Sequence, residues 1–307
     1  MFDHLIHADW SMDERKRWMT MATRQKDGWL IDSACQAASP SVFVKELAEI
    51  GQNGRLLVGF DFPIGVPSAY GVQTGFADFP AALRAFGEGD WSEFFKVADI
   101  PAEISLRRPF YPRVSRKGSA RIELAAGLGV PMFADLLRKC ERRTQYGPEG
   151  CVLFWTLGGN QVGKGALTGW REVIRPAMLD GARLWPFDGT LDELSQSAGV
   201  VLAETYPAEA YTIFDGRFLR SESKGRQVDR LNKAPAIHRW ALANSVQLSP
   251  SLIAQIDTGF GPRKTGEDAF DAFAGIVKMI EVAERRRKEI SHPWPETTVW
   301  EGWILGR

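Results

Sequence analysis

Three hydrophobic runs along the chain each carry an acidic residue near the middle or at the end. Residues 5–11 contain Asp9, residues 56–61 end on Asp61, and residues 199–204 end on Glu204. Short apolar runs bounded by glycine and proline are typical of strands that are buried on both faces, as in parallel sheets. Because ligands bind where the ends of such strands meet at one edge of an open α/β sheet, we expect the three carboxylates to converge there.

A fourth acidic element begins near residue 265, where apolar residues at helical spacing predict a helix. Asp268 and Asp271 are three positions apart, so both project from one side of its first turn. Asp268 alone also has a structural explanation, since it follows Thr265 at the spacing of a helix-capping box. Taken with the three strands, the pattern predicts a site for a hard cation such as Mg²⁺.

The remaining core elements follow from periodicity. Residues 16–23 and 28–34 predict two strands that continue the first one in an antiparallel meander. Ser39 and Pro40 predict the start of a helix that Gly51 ends. With the later strands and the acidic helix, the order is β-β-β-α-β, insertion, β-α. We therefore predict an α/β fold with a mixed five-stranded sheet flanked by helices.

The chain leaves this sheet after Asp61, because two prolines and a glycine in residues 62–67 exclude both a helix and a central strand. Residues 68–198 have a mostly helical and irregular pattern that is too long for a simple connection. We predict a single domain over residues 1–307, with its core at 1–67 and 199–290. Residues 68–198 would form a large, mostly helical insertion between the fourth and fifth strands.

Composition limits the classes of function. The 307 residues are 44% hydrophobic and 25% charged with zero formal net charge, so any attraction to phosphate has to be local. There is no signal-peptide pattern and no apolar run long enough for a bilayer, which predicts a cytoplasmic protein without a membrane partner. The three cysteines are widely spaced and no His-Glu-x-x-His motif occurs, so neither a disulfide framework nor a zinc site is expected.

One segment of the insertion is strongly basic. Between residues 107 and 143 the chain has ten lysines or arginines against three acids, with Phe110 and Tyr111 among them. Positive charge interleaved with aromatic rings favours binding of a phosphate backbone and its bases. The alternative is a solvated surface with structural ion pairs, which fits an isolated basic run at least as well. The residues predicted to bind substrate phosphates are Arg107, Arg108, Arg113, Arg116, Lys164, Arg263 and Lys264.

The order of the acidic elements resembles the RNase H-like fold, in which an aspartate of the first strand meets acids on later strands and on a C-terminal helix. The acidic helix at 268–272 is also similar to that of RuvC-type Holliday-junction resolvases. More closely, four motifs resemble the domain of unknown function 429 family, a set of predicted nucleases with this fold. They are Ala-Asp-Trp-Ser at 8–11, Phe-Asp-Phe-Pro-Ile-Gly at 60–65, Glu-Thr-Tyr-Pro at 204–207 and Glu-Asp-Ala-Phe-Asp-Ala at 267–272. These motifs cover the core and leave the insertion unexplained.

This resemblance implies a metal-dependent phosphodiester hydrolase, a nuclease acting on a nucleic acid or a nucleotide. Two Mg²⁺ or Mn²⁺ ions would activate water and stabilise the leaving oxygen. Asp9 would bridge both ions, Asp61 and Glu204 would complete the shell of one, and Asp268 with Asp271 that of the other. The predicted catalytic and metal-ligating residues are therefore Asp9, Asp61, Glu204, Asp268 and Asp271.

Two other functions also fit the sequence. Residues 151–157 predict a strand, and residues 158–164 match the Gly-x-x-x-x-Gly-Lys loop of nucleotide-binding proteins, although Gly165 stands where Ser or Thr would ligate Mg²⁺. Alternatively, the protein is a non-catalytic scaffold that binds nucleic acid or protein, since one fold hosts many functions. The number of retained acids favours the hydrolase.

Overall fold

A single sheet organises the protein. The computed structural model describes residues 1–112, 120–142, 149–156, 162–214, 217–290 and 294–307, without the side chains of Arg263 and Lys264. The strands in these residues are β1 (His4–Asp9), β2 (Trp18–Gln25), β3 (Gly28–Ile31), β4 (Cys35–Gln36), β5 (Arg55–Phe60), β6 (Arg183–Leu184), β7 (Gly199–Glu204) and β8 (Val246–Leu248). Their order is β6-β7-β5-β1-β2-β3-β8, with β4 paired to β2. β1, β5, β6 and β7 are parallel to one another, and β2 is antiparallel to β1 and β3.

Helices cover both faces of the sheet. The α-helices in the described residues are α1 (Pro40–Asn53), α2 (Ser68–Gly71), α3 (Phe79–Ala85), α4 (Ala120–Gly127), α5 (Val162–Gly169), α6 (Arg175–Leu179), α7 (Leu191–Leu194), α8 (Gln227–Leu231), α9 (Ala234–Ala243), α10 (Pro250–Asp257) and α11 (Arg263–Ala283). A π-helix, Trp170–Ile174, joins α5 to α6. Single turns of 3-10 helix include Glu14–Lys16, Phe133–Leu136 and Lys139–Glu141, and a longer 3-10 helix spans Pro207–Thr212.

The mixed α/β architecture is confirmed, but the predicted count of five strands is wrong. All five predicted strands are present as β1, β2, β3, β5 and β7. The sheet gains β4, β6 and β8, which have only two or three residues each. Strands of two or three residues are shorter than the run of about four to eight over which alternation can be recognised in a sequence. β6 lies within the predicted insertion, which therefore extends the sheet beside β7.

The central strands alternate strictly between two hydrophobic clusters, as expected for strands that are buried on both faces. One cluster, on the face covered by α1 and by the insertion, contains Ile6, Ala8, Val58, Phe60 and Leu202. The other cluster, on the face covered by α9, α10 and α11, contains Leu5, Leu57, Val201, Ala203 and Ile276. The insertion therefore shares a core with the sheet, through aromatic side chains such as Trp170 and Phe79.

Helix α11 approaches β1 very closely at Gly275. A Cβ atom at this position would lie 2.2 Å from two ring atoms of His7. The His7 ring is fully buried, and its Nε2 lies 2.7 Å from the hydroxyl of Thr205. Burial lowers the pKa of His7 to about 3, so the ring is neutral. This close contact sets the distance between the acidic helix and the end of β1.

We expect Gly275→Ala to destabilise the protein by about 1–2 kcal/mol, because the added methyl group overlaps a ring that cannot move away. Gly165→Ala in α5 is a matched control, since its Cβ would meet the nearest atom, Cβ of Phe62, at 3.4 Å. There the higher helix propensity of alanine should stabilise the protein by about 0.5–1 kcal/mol. Urea unfolding of both variants measures the difference, and equal stabilities would contradict the predicted close contact.

Among the described residues, no helix is long and apolar enough to cross a membrane.

Candidate functional site

Asp9 and Asp61 meet at the carboxyl ends of β1 and β5. Along β1, Leu5, His7 and Asp9 share the face that α11 covers, because side chains alternate along a strand. The Asp9 carboxyl shares a hydrogen bond with that of Asp61. Burial raises the pKa of Asp9 well above its usual range, and the charges of Asp61 and Asp271 raise it further. Two carboxylates this close do not both ionise easily without a cation.

Asp61 is held in a fixed orientation. Its Oδ1 accepts a hydrogen bond from the backbone N–H of Trp10 at 2.7 Å. Burial raises the pKa of Asp61, while the hydrogen bonds from Asp9 and Trp10 oppose that rise. Burial therefore disfavours a negative charge on both carboxyl groups at once.

Helix α11 brings the predicted third and fourth aspartates to the same place. Burial raises the pKa of Asp268 to about 6, with Lys16 acting in the opposite direction and Glu267 and Asp271 adding to the rise. Both Asp268 and Asp271 act electrostatically on Asp9. Four of the five predicted acids therefore act on one another electrostatically.

Asp271 has two partners that the sequence did not indicate. The hydroxyl of Tyr211 donates a hydrogen bond to its Oδ1, and the ammonium of Lys224 donates to its Oδ2. The same ammonium lies 3.4 Å from the carboxylate of Glu267, one turn earlier on α11. In the sequence, Lys224 is one of six lysines and arginines between residues 217 and 233, and nothing in their spacing separates it from the others.

Glu204 does not join this cluster, and its predicted role as a metal ligand does not match its position. Both of its oxygens accept hydrogen bonds from the guanidinium of Arg138, each at 2.7 Å. One of them also accepts from the backbone N–H of Ile64 at 2.8 Å. Arg138 is fully buried and also binds Glu141 at 2.8 Å. This ion-pair network fixes the insertion to the end of β7.

The register of the sheet explains why Glu204 is excluded. Glu204 is paired with Phe60, not with Asp61, in the parallel ladder between β7 and β5. Residues paired in this way have their side chains on the same face, and Phe60 belongs to the cluster under the insertion. The Glu204 carboxylate is therefore on the opposite face of the sheet from α11.

The oxygen ligands are not arranged around an ion. Within the described part of the chain, no group of three or more His, Cys, Asp or Glu side chains has the geometry to hold a metal ion. The pKa values of Asp9 and Asp61 are both raised, and Asp271 binds the ammonium of Lys224. Two ions bound by all five acids, as the sequence predicted, do not fit this geometry.

The predicted phosphate-binding arginines that the structure describes are engaged with acids. Arg107 lies 3.0 Å from Asp90, and Arg108 lies 2.6 Å from Glu103. The neighbouring aromatic rings, Phe110 and Tyr111, are fully buried and so are not available to stack on bases. Both arginines therefore form ion pairs within the protein, as the alternative interpretation of this basic segment predicted. Arg113 and Arg116 lie outside the described residues, as do the side chains of Arg263 and Lys264.

The glycine-rich segment near Lys164 approaches the carboxylate edge. A Cβ atom at Gly165 would lie 3.8 Å from the carbonyl oxygen of Trp10, which follows Asp9 directly. Residues 157–161 lie outside the described residues, and 151–156 form a turn where a strand was predicted. The mostly apolar run at 151–157 predicted the strand, but Val152, Leu153 and Phe154 all pack into the core of the insertion. A P-loop built on a preceding strand is therefore not formed by 151–156.

Comparison with protein-family models, with curated proteins and with solved structures finds no match for this chain.

Proposed function

We propose that the protein is a metal-dependent phosphodiester hydrolase that acts at the edge formed by Asp9, Asp61 and Asp268. The observation that carries this proposal is the hydrogen-bonded pair of Asp9 and Asp61, whose pKa values are both raised. Burying two acids together is costly for folding, and the cost is explained if a cation binds them during function. The strand order β3-β2-β1-β5-β7 supports the RNase H-like resemblance of the four motifs.

Mg²⁺ and Mn²⁺ prefer carboxylate oxygens, which these three residues supply. Binding an ion would need the three side chains to move together, because among the described residues they do not form a metal-holding group as they stand. When bound, such an ion polarises a phosphoryl oxygen and lowers the pKa of bound water. Ion binding requires the proton shared by Asp9 and Asp61 to leave, so affinity should fall at acid pH. Asp61 is kept in position by the N–H of Trp10, and Gly275 keeps α11 with Asp268 close to β1.

A second candidate is a non-catalytic scaffold for nucleic acid or protein. It is favoured by the two cations that the chain itself supplies, Lys224 at Asp271 and Arg138 at Glu204. In such a scaffold the acids would be neutralised internally and would need no metal ion. A nucleotide-binding function for Gly158 to Lys164 has less support, since no strand precedes that segment in residues 151–156.

Calorimetric titration of Mn²⁺ into the full chain tests the hydrolase. We expect binding to the wild type and a loss of at least about tenfold in affinity for Asp9→Asn, because one ligand oxygen becomes an amide. Asp90→Asn is the control, since Asp90 is exposed and pairs only with Arg107 among the contacts described above. The titration is repeated with an oligonucleotide, because substrate phosphates often complete a Mg²⁺ shell.

Equal binding by wild type and Asp9→Asn under both conditions would exclude the hydrolase. Metal-independent binding of nucleic acid by both proteins would then support the scaffold. A positive result justifies cleavage assays with single-stranded, branched and RNA substrates.

A further inference from the structure

Tyr206 and Trp294 are the two most exposed aromatic side chains in the described part of the chain. Tyr206 is 47% exposed and Trp294 is 49% exposed. The two tryptophans that follow in the C-terminal segment, Trp300 and Trp303, are buried. Single exposed rings are common on protein surfaces, so the surroundings of these two decide whether they form a binding site.

Tyr206 belongs to the Glu-Thr-Tyr-Pro motif at 204–207, whose other three residues have internal roles. Glu204 is part of the buried ion-pair network, the Thr205 hydroxyl lies 2.7 Å from a buried histidine ring of β1, and Pro207 begins a 3-10 helix. The tyrosine side chain remains at the surface, at the carboxyl end of β7. Internal packing therefore explains the motif except for Tyr206.

Tyr206 lies close to the acidic cluster and to two cations. Burial raises the pKa of its hydroxyl, with Glu209 adding to the rise and Arg307 and Lys224 opposing it. The ammonium of Lys224, which binds Asp271, is still partly exposed. An anionic group next to the Tyr206 ring would therefore meet a positive charge at the edge of the cluster.

Trp294 also has a cation beside it. The ammonium nitrogen of Lys139 is 5.4 Å from the centre of the indole ring, within the range of a cation–π contact. The backbone that carries this lysine is fixed, because its N–H donates to the carboxylate of Glu301, which also accepts from the hydroxyl of Ser68 at 2.9 Å. Each exposed ring is thus paired with positive charge on an ordered part of the chain.

Arg307 connects the surroundings of the two rings. Its guanidinium donates to the carbonyl oxygen of Cys140, directly after Lys139, and its Nε lies 2.9 Å from the carboxylate of Glu209. The backbone N–H of Glu209 donates to the carbonyl oxygen of Tyr206 at 3.1 Å. These contacts place both rings in one region, here named the aromatic surface, which contains Lys139, Tyr206, Lys224, Trp294 and Arg307.

We propose that the aromatic surface binds single-stranded nucleic acid, with unpaired bases stacked on Tyr206 and Trp294 and phosphates near Lys139 and Lys224. Proteins that bind single strands combine aromatic rings for the bases with cations for the backbone. A cation beside each ring favours such an anionic partner over an apolar peptide. This inference rests on the proposed hydrolase function, whose substrate it names as a single strand that passes the acidic cluster.

Fluorescence anisotropy of a labelled strand of about 12 nucleotides tests the proposal on the full chain, in EDTA so that no metal ion contributes. We expect the wild type to bind single-stranded DNA or RNA more tightly than a duplex, whose bases are already stacked. Tyr206→Ala and Trp294→Ala should each lower the affinity about tenfold, while Tyr206→Phe and Trp294→Phe retain a ring and most of the affinity. Leu242→Ala is the control, since it removes a side chain from α9 that is 86% exposed and should change nothing.

An abasic strand of the same length separates stacking from charge, because it keeps the phosphates and lacks the bases. Tyr206→Ala and Trp294→Ala should bind it as well as the wild type does. Lys139→Met should weaken binding of both strands about fivefold at about 0.1 M salt, through loss of one phosphate contact. Lys96→Met, which removes an exposed lysine paired with Glu93, is its matched control.

The failures of this inference and of the hydrolase are distinguishable. Absence of single-strand binding, a preference for the duplex, or unchanged affinity of both alanine variants would overturn the inference, and would leave the hydrolase to the Mn²⁺ titration. An equal loss of affinity for the abasic strand would also overturn stacking. If circular dichroism shows that an alanine variant is unfolded, weaker binding of the abasic strand by the wild type supports the inference and equal binding overturns it. Ring-dependent binding of the single strand without any binding of Mn²⁺ would support the aromatic surface and exclude the hydrolase.

Discussion

Arg138→Met is expected to destabilise the protein by about 3–5 kcal/mol, because it leaves the carboxylates of Glu204 and Glu141 buried without their common partner. The substitution retains much of the side-chain volume, so the effect reports the lost charge more than a cavity. Chemical unfolding measures the change in the free energy of unfolding. Arg107→Met is the matched control, since it removes an exposed pair with Asp90 and should cost no more than about 1 kcal/mol.

The double variant Arg138→Met/Glu204→Gln identifies the cause. Replacing the charged Glu204 by a neutral amide removes most of the penalty of an unpaired buried charge, so we expect a coupling of more than about 1 kcal/mol between the two sites. Arg138→Met as stable as Arg107→Met would show that the buried network does not hold the insertion to the sheet.

Asp9→Asn is expected to stabilise the metal-free protein at pH 8 by about 1–3 kcal/mol and to lower metal-dependent cleavage by about two orders of magnitude or more. The folded-state pKa of Asp9 is raised, mainly by burial, so the folded protein binds its proton more tightly than the unfolded chain does. The contribution of Asp9 to wild-type stability is therefore fully present below the unfolded pKa of about 4 and is lost as pH rises through the folded-state pKa. Asparagine has no such charge, so the variant should match the wild type near pH 4 and exceed it at pH 8.

Asp3→Asn provides a control of opposite sign. The hydrogen bond from Arg55 lowers the pKa of Asp3 to about 2, so its carboxylate stabilises the folded protein above the unfolded pKa and loses that contribution as pH falls. Asp3→Asn should therefore destabilise the protein at pH 8 and lose this effect toward pH 2. Thermal unfolding at several pH values, with and without Mn²⁺, measures both variants. If the metal-free Asp9→Asn protein is less stable than the wild type at pH 8, the Asp9 charge does not destabilise the folded protein and the prediction is wrong.

The sequence was sufficient to predict the four acids that meet, because their positions follow from strand ends and helix spacing. Asp9 and Asp61 come at the ends of buried runs, and Asp268 and Asp271 share one side of a helix. Glu204 met the same criterion and still lies on the other face of the sheet. What excludes it is the register of β7 against β5, which pairs Glu204 with Phe60. A shift of one residue reverses the face of every side chain, and an apolar run alone does not specify that shift.

The basic partners of these acids, Arg138 and Lys224, could not be predicted from the sequence, for a different reason. Arg138 and Lys224 each lie in a basic tract whose other members have different partners, such as the exposed Asp90 for Arg107 and a backbone carbonyl for Lys233. Which lysine or arginine binds a buried acid depends on contacts over 47 and 66 residues of sequence, to Asp271 and to Glu204. Local spacing contains no information about such contacts, whereas it does contain the periodicity of strands and helices.

The pairing of β5 with β7 across the insertion has a consequence for the speed of folding. These two central strands are separated by roughly 140 residues, but closing so long a loop costs only about 0.6 kcal/mol more per doubling of its length. The length of the insertion therefore lowers the free energy of unfolding only slightly. Folding rates, in contrast, fall steeply as contacts become more distant in sequence. We expect the half of the sheet built from β1, β2 and β3 to form early, and the edge that carries the acids to be completed late, when β5 and β7 meet.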